Sequence, residues 1–349
     1  MKHLLISDTH APHCVENTLK YLDEIKQKHP DLEMVVINGD LLGIFSLESS
    51  IHKNYKPTNE QLKTYLKQCA PRFAAKFTGT LTPQLAAEFV AERYEWCLSI
   101  LRRFSEKIFT VFNMGNHESP HQGLVLEELN FLLGMNSPID RKIVEQVYPQ
   151  FEAQLKKLEN FKYLRNEPFV HNQTILMGIP GESHSAESPI QEAKTKEIIQ
   201  KTKELLPYAL SLVIYNHTQG EYTKETGVFQ SGSPSLRNFI KELPMNIFTK
   251  VFVQSHNHWS YTQFREQDEV HYILNNAGLH NGICNILNIT PEVKCFDVYP
   301  QDKQITELTL TDKENVIKEE ELIKRNYPNP EMVLTRKKLM RSNSMQNLS

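Results

Sequence analysis

One arrangement constrains this chain more than any other. Five times an apolar run of strand length stops at a short cluster of Asp, Asn or His. KHLLIS (2–7) leads into Asp8-Thr9-His10, and EMVVIN (33–38) leads into Gly39-Asp40. KIFTVFN (107–113) leads, through Met114, into Gly115-Asn116-His117-Glu118. The run ending at Tyr215 leads into Asn216-His217, and the run ending at Gln254 leads into Ser255-His256-Asn257-His258. Short apolar runs bounded by polar loops read as buried strands. In an open α/β sheet, ligands bind in the loops beyond the carboxyl ends of the strands. Clusters far apart in sequence are therefore expected to meet at one edge.

The segments between these runs complete an α/β pattern. Val15, Leu19, Leu22 and Ile25 share one helical face within 15–28, so the chain opens as strand, helix, strand. Residues 58–69 and 83–104 read as helices, and 44–106 as a helical insertion between two core strands. Helical character returns at 121–134, 138–159, 189–205 and 234–243. Strands are expected at 174–179, 210–215, 250–254, 259–265, 270–275, 283–290 and 293–299. The last two are read as a hairpin turning at Thr290-Pro291-Glu292, with an edge strand at 305–310. These assignments make residues 1–311 one domain. The charged segment 312–349 is expected to be a helix followed by a flexible tail with basic residues Arg336, Lys337, Lys338 and Arg341.

Composition narrows the function class. The 349 residues carry a formal net charge of −3, which gives no global basic field for nucleic acid or anionic membrane. The five cysteines (Cys14, Cys69, Cys97, Cys284, Cys295) form no CxxC pair, so neither a disulfide framework nor a structural zinc cage is expected. No apolar run approaches the roughly 18 residues of a membrane span. A cytoplasmic location is the expectation.

The cluster residues suit a pair of divalent cations. Carboxylate and imidazole ligands favour ions such as manganese, iron and zinc, and one Asp has two oxygens with which to bridge them. Two metals about 3.5–4 Å apart can hold a phosphate and activate a water.

In order and in strand-end context, the clusters resemble the motifs of the calcineurin-like metallophosphoesterase superfamily: DxH, GD, GNH plus an acid, a lone His after a strand, and GHxH. The likeness runs from Asp8 to His258. It implies a four-layer α/β/β/α sandwich of two mixed sheets and a dinuclear centre. Asp8, His10 and His258 would bind the first metal, and Asp40 would bridge. Asn116, His217 and His256 would complete the second. His117 would bind no metal; it would face the substrate with Asn116, stabilise phosphoryl oxygens and protonate the leaving group. The implied reaction is in-line attack on phosphorus by a hydroxide that the metals activate. The implied substrate is a phosphomonoester, phosphodiester or nucleotide.

Two departures stand out. Ser255 replaces the usual Gly of the last motif. Asp40 is followed by Leu41-Leu42-Gly43, so an acid that some branches carry there is missing and the group orienting His117 is unassigned. The Asp-Arg-Gly that phosphoprotein phosphatases carry after GD is also absent. The His217-Thr218 context resembles DNA-repair nucleases, a reading the net charge does not favour. A non-catalytic scaffold is the remaining alternative, against which stand His117 and the complete ligand set.

Other residues carry plainer readings. Glu118 is expected to make a structural hydrogen bond. His3, His13, His29, His52, His121 and His271 read as structural, while His184 and His280 lie in Gly- or Ser-rich loops and are candidates for lining the pocket. Arg72, Lys76, Arg93, Arg102 and Arg103 in the helical insertion suggest either a cap gripping phosphate or solvated basic faces, with the second favoured.

Overall fold

The computed structural model describes residues 1–9, 12–42, 70–126, 142–183, 185–218, 220–223, 228–256, 262–274, 283–289 and 292–308, with positions 60, 63, 64, 66, 67, 129, 133, 140 and 310. The segment 312–349, most of 43–69, and His10, His52, His184, His258 and His280 lie outside the described residues.

Two mixed sheets form. The first contains β1 (Lys2–Ile6), β2 (Leu32–Asn38), β3 (Phe109–Asn113), β4 (Phe161–Tyr163), β13 (Cys284–Asn288), β14 (Lys294–Tyr299) and β15 (Gln304–Glu307), in the order β15-β14-β13-β1-β2-β3-β4. The second contains β5 (Phe169–His171), β6 (Thr174–Ile179), β7 (Ser211–Asn216), β10 (Thr249–Gln254), β11 (Gln263–Gln267) and β12 (Val270–Leu274), in the order β11-β12-β10-β7-β6-β5. A separate hairpin pairs β8 (Gly220–Thr223) with β9 (Val228–Ser231). β1, β2 and β3 run parallel, as do β6, β7 and β10. The motif-bearing strand ends therefore point the same way within each sheet.

The alternation of side chains separates the layers. Leu5, Met34, Val36, Val111, Leu176, Val213, Val251 and Val253 meet in the core between the sheets. Their neighbours Leu4, Ile6, Val35, Ile37 and Phe112 face the other way, against α1 (Pro12–Lys28), α2 (Pro71–Lys76), α3 (Pro83–Ser105) and α4 (Lys142–Leu155). On the far side, Ile175, Met177, Leu212, Ile214 and Phe252 pack against α5 (Pro189–Leu205) and α6 (Pro234–Lys241). Strands covered on both faces need continuous apolar runs, which is why β1, β2, β7 and β10 are legible as such. Each fully buried aliphatic or aromatic side chain contributes about 1.5–3 kcal/mol. The result is helix, sheet, sheet, helix.

Helix starts follow local chemistry. Thr82, Ser188 and Ser233 each accept a hydrogen bond from the third residue onward (Leu85, Gln191 and Leu236), and each is followed by Pro at the first helical position. Several expected boundaries shift. The helix expected at 138–159 spans Lys142–Leu155, and the strand expected at 259–265 spans Gln263–Gln267. The short strands β4 and β5 and the β8–β9 hairpin carry too few apolar residues for periodicity to reveal.

The basic residues of the helical insertion are mostly paired locally. Arg72 pairs with Glu92 and Glu95, Lys76 with Glu88 at 2.7 Å, and Arg103 with Glu16. Arg93 is buried, its guanidinium 5.0 Å from the Trp96 ring. This pattern fits solvated, ion-paired helix faces rather than an open phosphate cap.

Candidate metal centre

The ends of β1, β2, β3, β7 and β10 converge on one buried spot. Asp40, His217 and His256 each bring a ligand atom within 4.8 Å of the others. His217 Nε2 lies 3.0 Å from Asp40 Oδ2 and 3.9 Å from Asp8 Oδ1. Asp8 Oδ2 accepts from the backbone N–H of His256 at 3.3 Å, which ties the first cluster to the last. His117, partly buried, donates its backbone N–H to Asp40 Oδ1 at 3.1 Å. The structure thus brings together Asp8, Asp40, Asn116, His117, His217 and His256. His10 and His258 fall outside the described residues.

The turns that carry these side chains are sharp. Asp8, Asp40 and His256 have φ of 47°, 54° and 85°, in the left-handed region. Such backbone costs on the order of 1–3 kcal/mol at a residue with a Cβ and concentrates at functional sites. The turn after β1 is sewn to the turn after β2: Asp8 N–H donates to Gly39 O at 3.1 Å and Thr9 N–H to Asp40 O at 2.9 Å. Close backbone approach demands glycine at two places. A Cβ on Gly39 would sit 2.3 Å from His217 Nδ1, and one on Gly115 would sit 2.3 Å from Asp40 N.

Ser255 has an explanation. It is not among the left-handed residues; His256 is, so no glycine is required at 255. The Ser255 hydroxyl accepts from Asn38 Nδ2 at 2.8 Å, a contact glycine could not make.

Glu118 is a strap. Its Oε2 accepts from the N–H groups of Asp40 (3.0 Å) and Gly115 (2.9 Å), and its Oε1 from Leu42 N–H (2.6 Å). One buried carboxylate thereby joins the turns after β2 and β3. Burial, and then the nearby Asp40 carboxylate, push its pKa up to about 7 against the pull of the amide donors and His117.

His217 is set up for a cation. Its Nδ1–H donates to Asn38 O at 2.6 Å, which fixes the tautomer and aims Nε2 at the carboxylates. Burial works to lower its pKa, but Asp40 and Asp8 outweigh it and raise the value to about 9. Positive charge is therefore favoured at this spot, and a metal ion supplies it as a proton does. The Asn116 side-chain oxygen is buried with no hydrogen-bond partner among the described residues. Buried polar atoms are rarely left unbonded, and an amide oxygen is a competent ligand for a divalent ion. The donor set fits a metal centre of oxygen and imidazole ligands.

Some features escape motif reading. Gly181, after β6, packs so closely that a Cβ would lie 2.6 Å from Asn116 N and 2.7 Å from His217 O. Asn38, Asn113, Asn216 and Gln254 end their strands and are buried. Their signal was available: an amide residue closes each of these four runs.

Comparison with protein families agrees with this architecture. The family model described as calcineurin-like phosphoesterase matches residues 1–260. No curated protein matches the chain. Among solved structures, it is similar to GAP50, the anchor in the inner membrane complex of Plasmodium, at 10% identity and a TM-score of 0.42, covering 89% of this chain and 89% of that one. It is also similar to the Thermus thermophilus sulfate thiohydrolase SoxB in complex with glycerol, at 8% identity and a TM-score of 0.42, covering 88% of this chain and 58% of that one.

Proposed function

The chain belongs to the calcineurin-like phosphoesterase family, and on that premise we propose that it is a metal-dependent phosphohydrolase acting on a phosphomonoester or phosphodiester. The observation that carries the reading is the meeting of Asp40, His217 and His256 ligand atoms within 4.8 Å; a buried Asn116 oxygen with no partner among the described residues supports it.

In this reading Asp8, His10 and His258 would hold one ion, Asn116, His217 and His256 would hold the other, and Asp40 would serve both. Two divalent cations, manganese, iron or zinc, would supply positive charge to the phosphate and lower the pKa of a water. The chain's own residues do the rest. Asp40 presents one oxygen to His217 and takes the His117 N–H on the other, so its orientation is fixed from both sides. His117, held by that backbone bond, faces the phosphoryl group alongside Asn116. Its imidazole would stabilise the equatorial oxygens and give a proton to the leaving alkoxide, the proton-transfer role that histidine fills most often.

The proposed substrate is a small phosphorylated molecule or nucleotide, since a formal charge of −3 offers no field for a long polyanion. A cytoplasmic site of action is part of the same proposal. Cys97, Cys284 and Cys295 are buried free thiols, and no helix among the described residues is long and apolar enough to cross a membrane.

The test strips the protein with chelator, restores manganese, zinc, iron or magnesium, and follows hydrolysis of aryl phosphomonoesters and phosphodiesters. Turnover is expected to return in the wild type and not in Asp40→Asn. His117→Ala is expected to lose roughly 10²–10⁴-fold in kcat with metal content unchanged. Two bound metals with no turnover on any ester would make the protein a scaffold. Failure to bind two metals would show the ligand set to be wrong.

A further inference from the structure

Behind the proposed ligands lies a second layer of polar side chains that the chemistry above does not use. β2 and β3 in one sheet, and β7 and β10 in the other, each end on an amide: Asn38, Asn113, Asn216 and Gln254, all fully buried. A buried amide is costly unless it is hydrogen-bonded, so four at one level of a sandwich need a reason.

These side chains cross the gap between the sheets. Asn113 is central: its Nδ2 donates to Asn38 Oδ1 (2.8 Å), Ile179 O (3.0 Å) and Tyr215 O (3.2 Å). From β3 it therefore reaches β2 alongside and both β6 and β7 opposite. All three neighbours are acceptors, so the NH2 must face them and the amide cannot flip. Gly178 leaves the room, since a Cβ there would come 2.7 Å from Asn113 Oδ1. Asn38 carries the link onward. Its Nδ2 donates to Ser255 Oγ (2.8 Å) and Asn216 O (3.3 Å), while its carbonyl accepts the His217 Nδ1–H (2.6 Å). On the second sheet, Asn216 Nδ2 donates to Gln254 Oε1, and Gln254 Nε2 to Thr218 O and Ser255 O, all at 2.6 Å.

From this geometry we infer that Asn113 is a positioning residue for the metal centre, clamping the two sheets so that Asn38 can present its carbonyl to His217 and its amide to Ser255. The inference rests on the phosphohydrolase reading, because it takes Asp40, His217 and His256 as metal ligands. Two of these ligands rise from one sheet and Asp40 from the other, so their spacing depends on how the sheets are pinned. The Asn113 bonds are the pin, and the Asn38 carbonyl is its output to the imidazole. Without the clamp the ligands remain present but stand at looser distances.

The test uses the full chain and manganese or zinc alone as the probe. Asn113→Leu keeps nearly the same shape and removes the donor. Tyr215→Phe is the control: it removes another bond between the sheets, from the Tyr215 hydroxyl to His3 Nε2 at 3.0 Å, which touches no proposed ligand. Metal affinity is measured by chelator competition, and melting temperature is measured in excess chelator. Asn113→Leu is expected to weaken affinity roughly 10- to 100-fold, the range typical of partners that orient metal-binding histidines. Tyr215→Phe is expected to melt earlier yet bind as the wild type does. Wild-type affinity in Asn113→Leu, or affinity losses in both variants that track melting temperature, would overturn the inference. Should Asn113→Leu fail to fold, Asn113→Ser is read by the same two outcomes. A wild-type protein that binds neither ion overturns the phosphohydrolase reading and this inference with it, a result distinct from a binding wild type and an unaffected variant.

Discussion

Removing the Glu118 carboxylate tests whether one side chain holds the two central turns together. In Glu118→Ala the N–H groups of Gly115, Asp40 and Leu42 lose their acceptor inside the protein. A buried donor left unbonded costs about 1–3 kcal/mol, so three set a ceiling of roughly 3–9 kcal/mol. Water entering the vacated volume recovers part of this, and about 3–5 kcal/mol is the expected loss. Glu118→Gln is the finer probe. Its carbonyl oxygen can take the place of Oε2 and keep the Asp40 and Gly115 bonds, but its NH2 then faces the Leu42 N–H. One bond is lost, but the cost of burying the carboxylate charge disappears with it, so the net loss is expected to be only about 0.5–1.5 kcal/mol. The assay is urea unfolding in excess chelator at pH 8, above the value of about 7 to which burial and Asp40 raise this carboxyl. The expected order is wild type, then Gln, then Ala, with the Ala loss clearly the larger. Equal losses, or an Ala loss below about 1 kcal/mol, would refute the strap.

Two further substitutions test other parts of the framework. Gly115→Ala would place a Cβ 2.1 Å from Asp40 Oδ1 and 2.3 Å from its backbone N, and backbone cannot yield cheaply. It is expected to cost about 1–3 kcal/mol or more in unfolding free energy and to abolish tight metal binding in a titration; wild-type binding would mean the turns have slack. His3 is wholly buried against Tyr215, and burial lowers its pKa to about 3. The unfolded chain then takes up a proton below about pH 6.5 that the folded chain refuses, so stability present above that pH is lost as pH falls, by up to about 1.4 kcal/mol per unit. Between pH 6.5 and 5 the wild type should lose about 1.6 kcal/mol more than His3→Gln in denaturant titrations, and parallel profiles would contradict this.

Much of the candidate site was legible because its residues are local to strand ends. An apolar run covered on both faces must be nearly all apolar, so β1, β2, β3, β7 and β10 announce themselves, and the polar residue that stops each run marks where the loop begins. Asp8, Asp40, Asn116, His217 and His256 could be named this way. β4, β5 and the β8–β9 hairpin could not, because edge strands of three or four residues gain their order from partners rather than from pattern. Glu118 was legible as a structural acceptor, but not as the acceptor for three particular N–H groups, since those donors lie on turns more than 70 residues apart.

The sequence by itself determined the order of the elements, the layered class and the inventory of candidate ligands, because these depend on periodicity and on residues adjacent in the chain. Tertiary structure alone decided three things. The left-handed turn after Ser255 falls on His256, which frees position 255 for a hydroxyl. Asn38 gives its carbonyl to His217, which selects the tautomer. Asn113 spans the sheets, although nothing in its local sequence distinguishes it from any asparagine at a strand end. Each depends on distances between segments that only packing brings together, and burial then turns those distances into energy, because a polar atom away from water must find its partner within the protein.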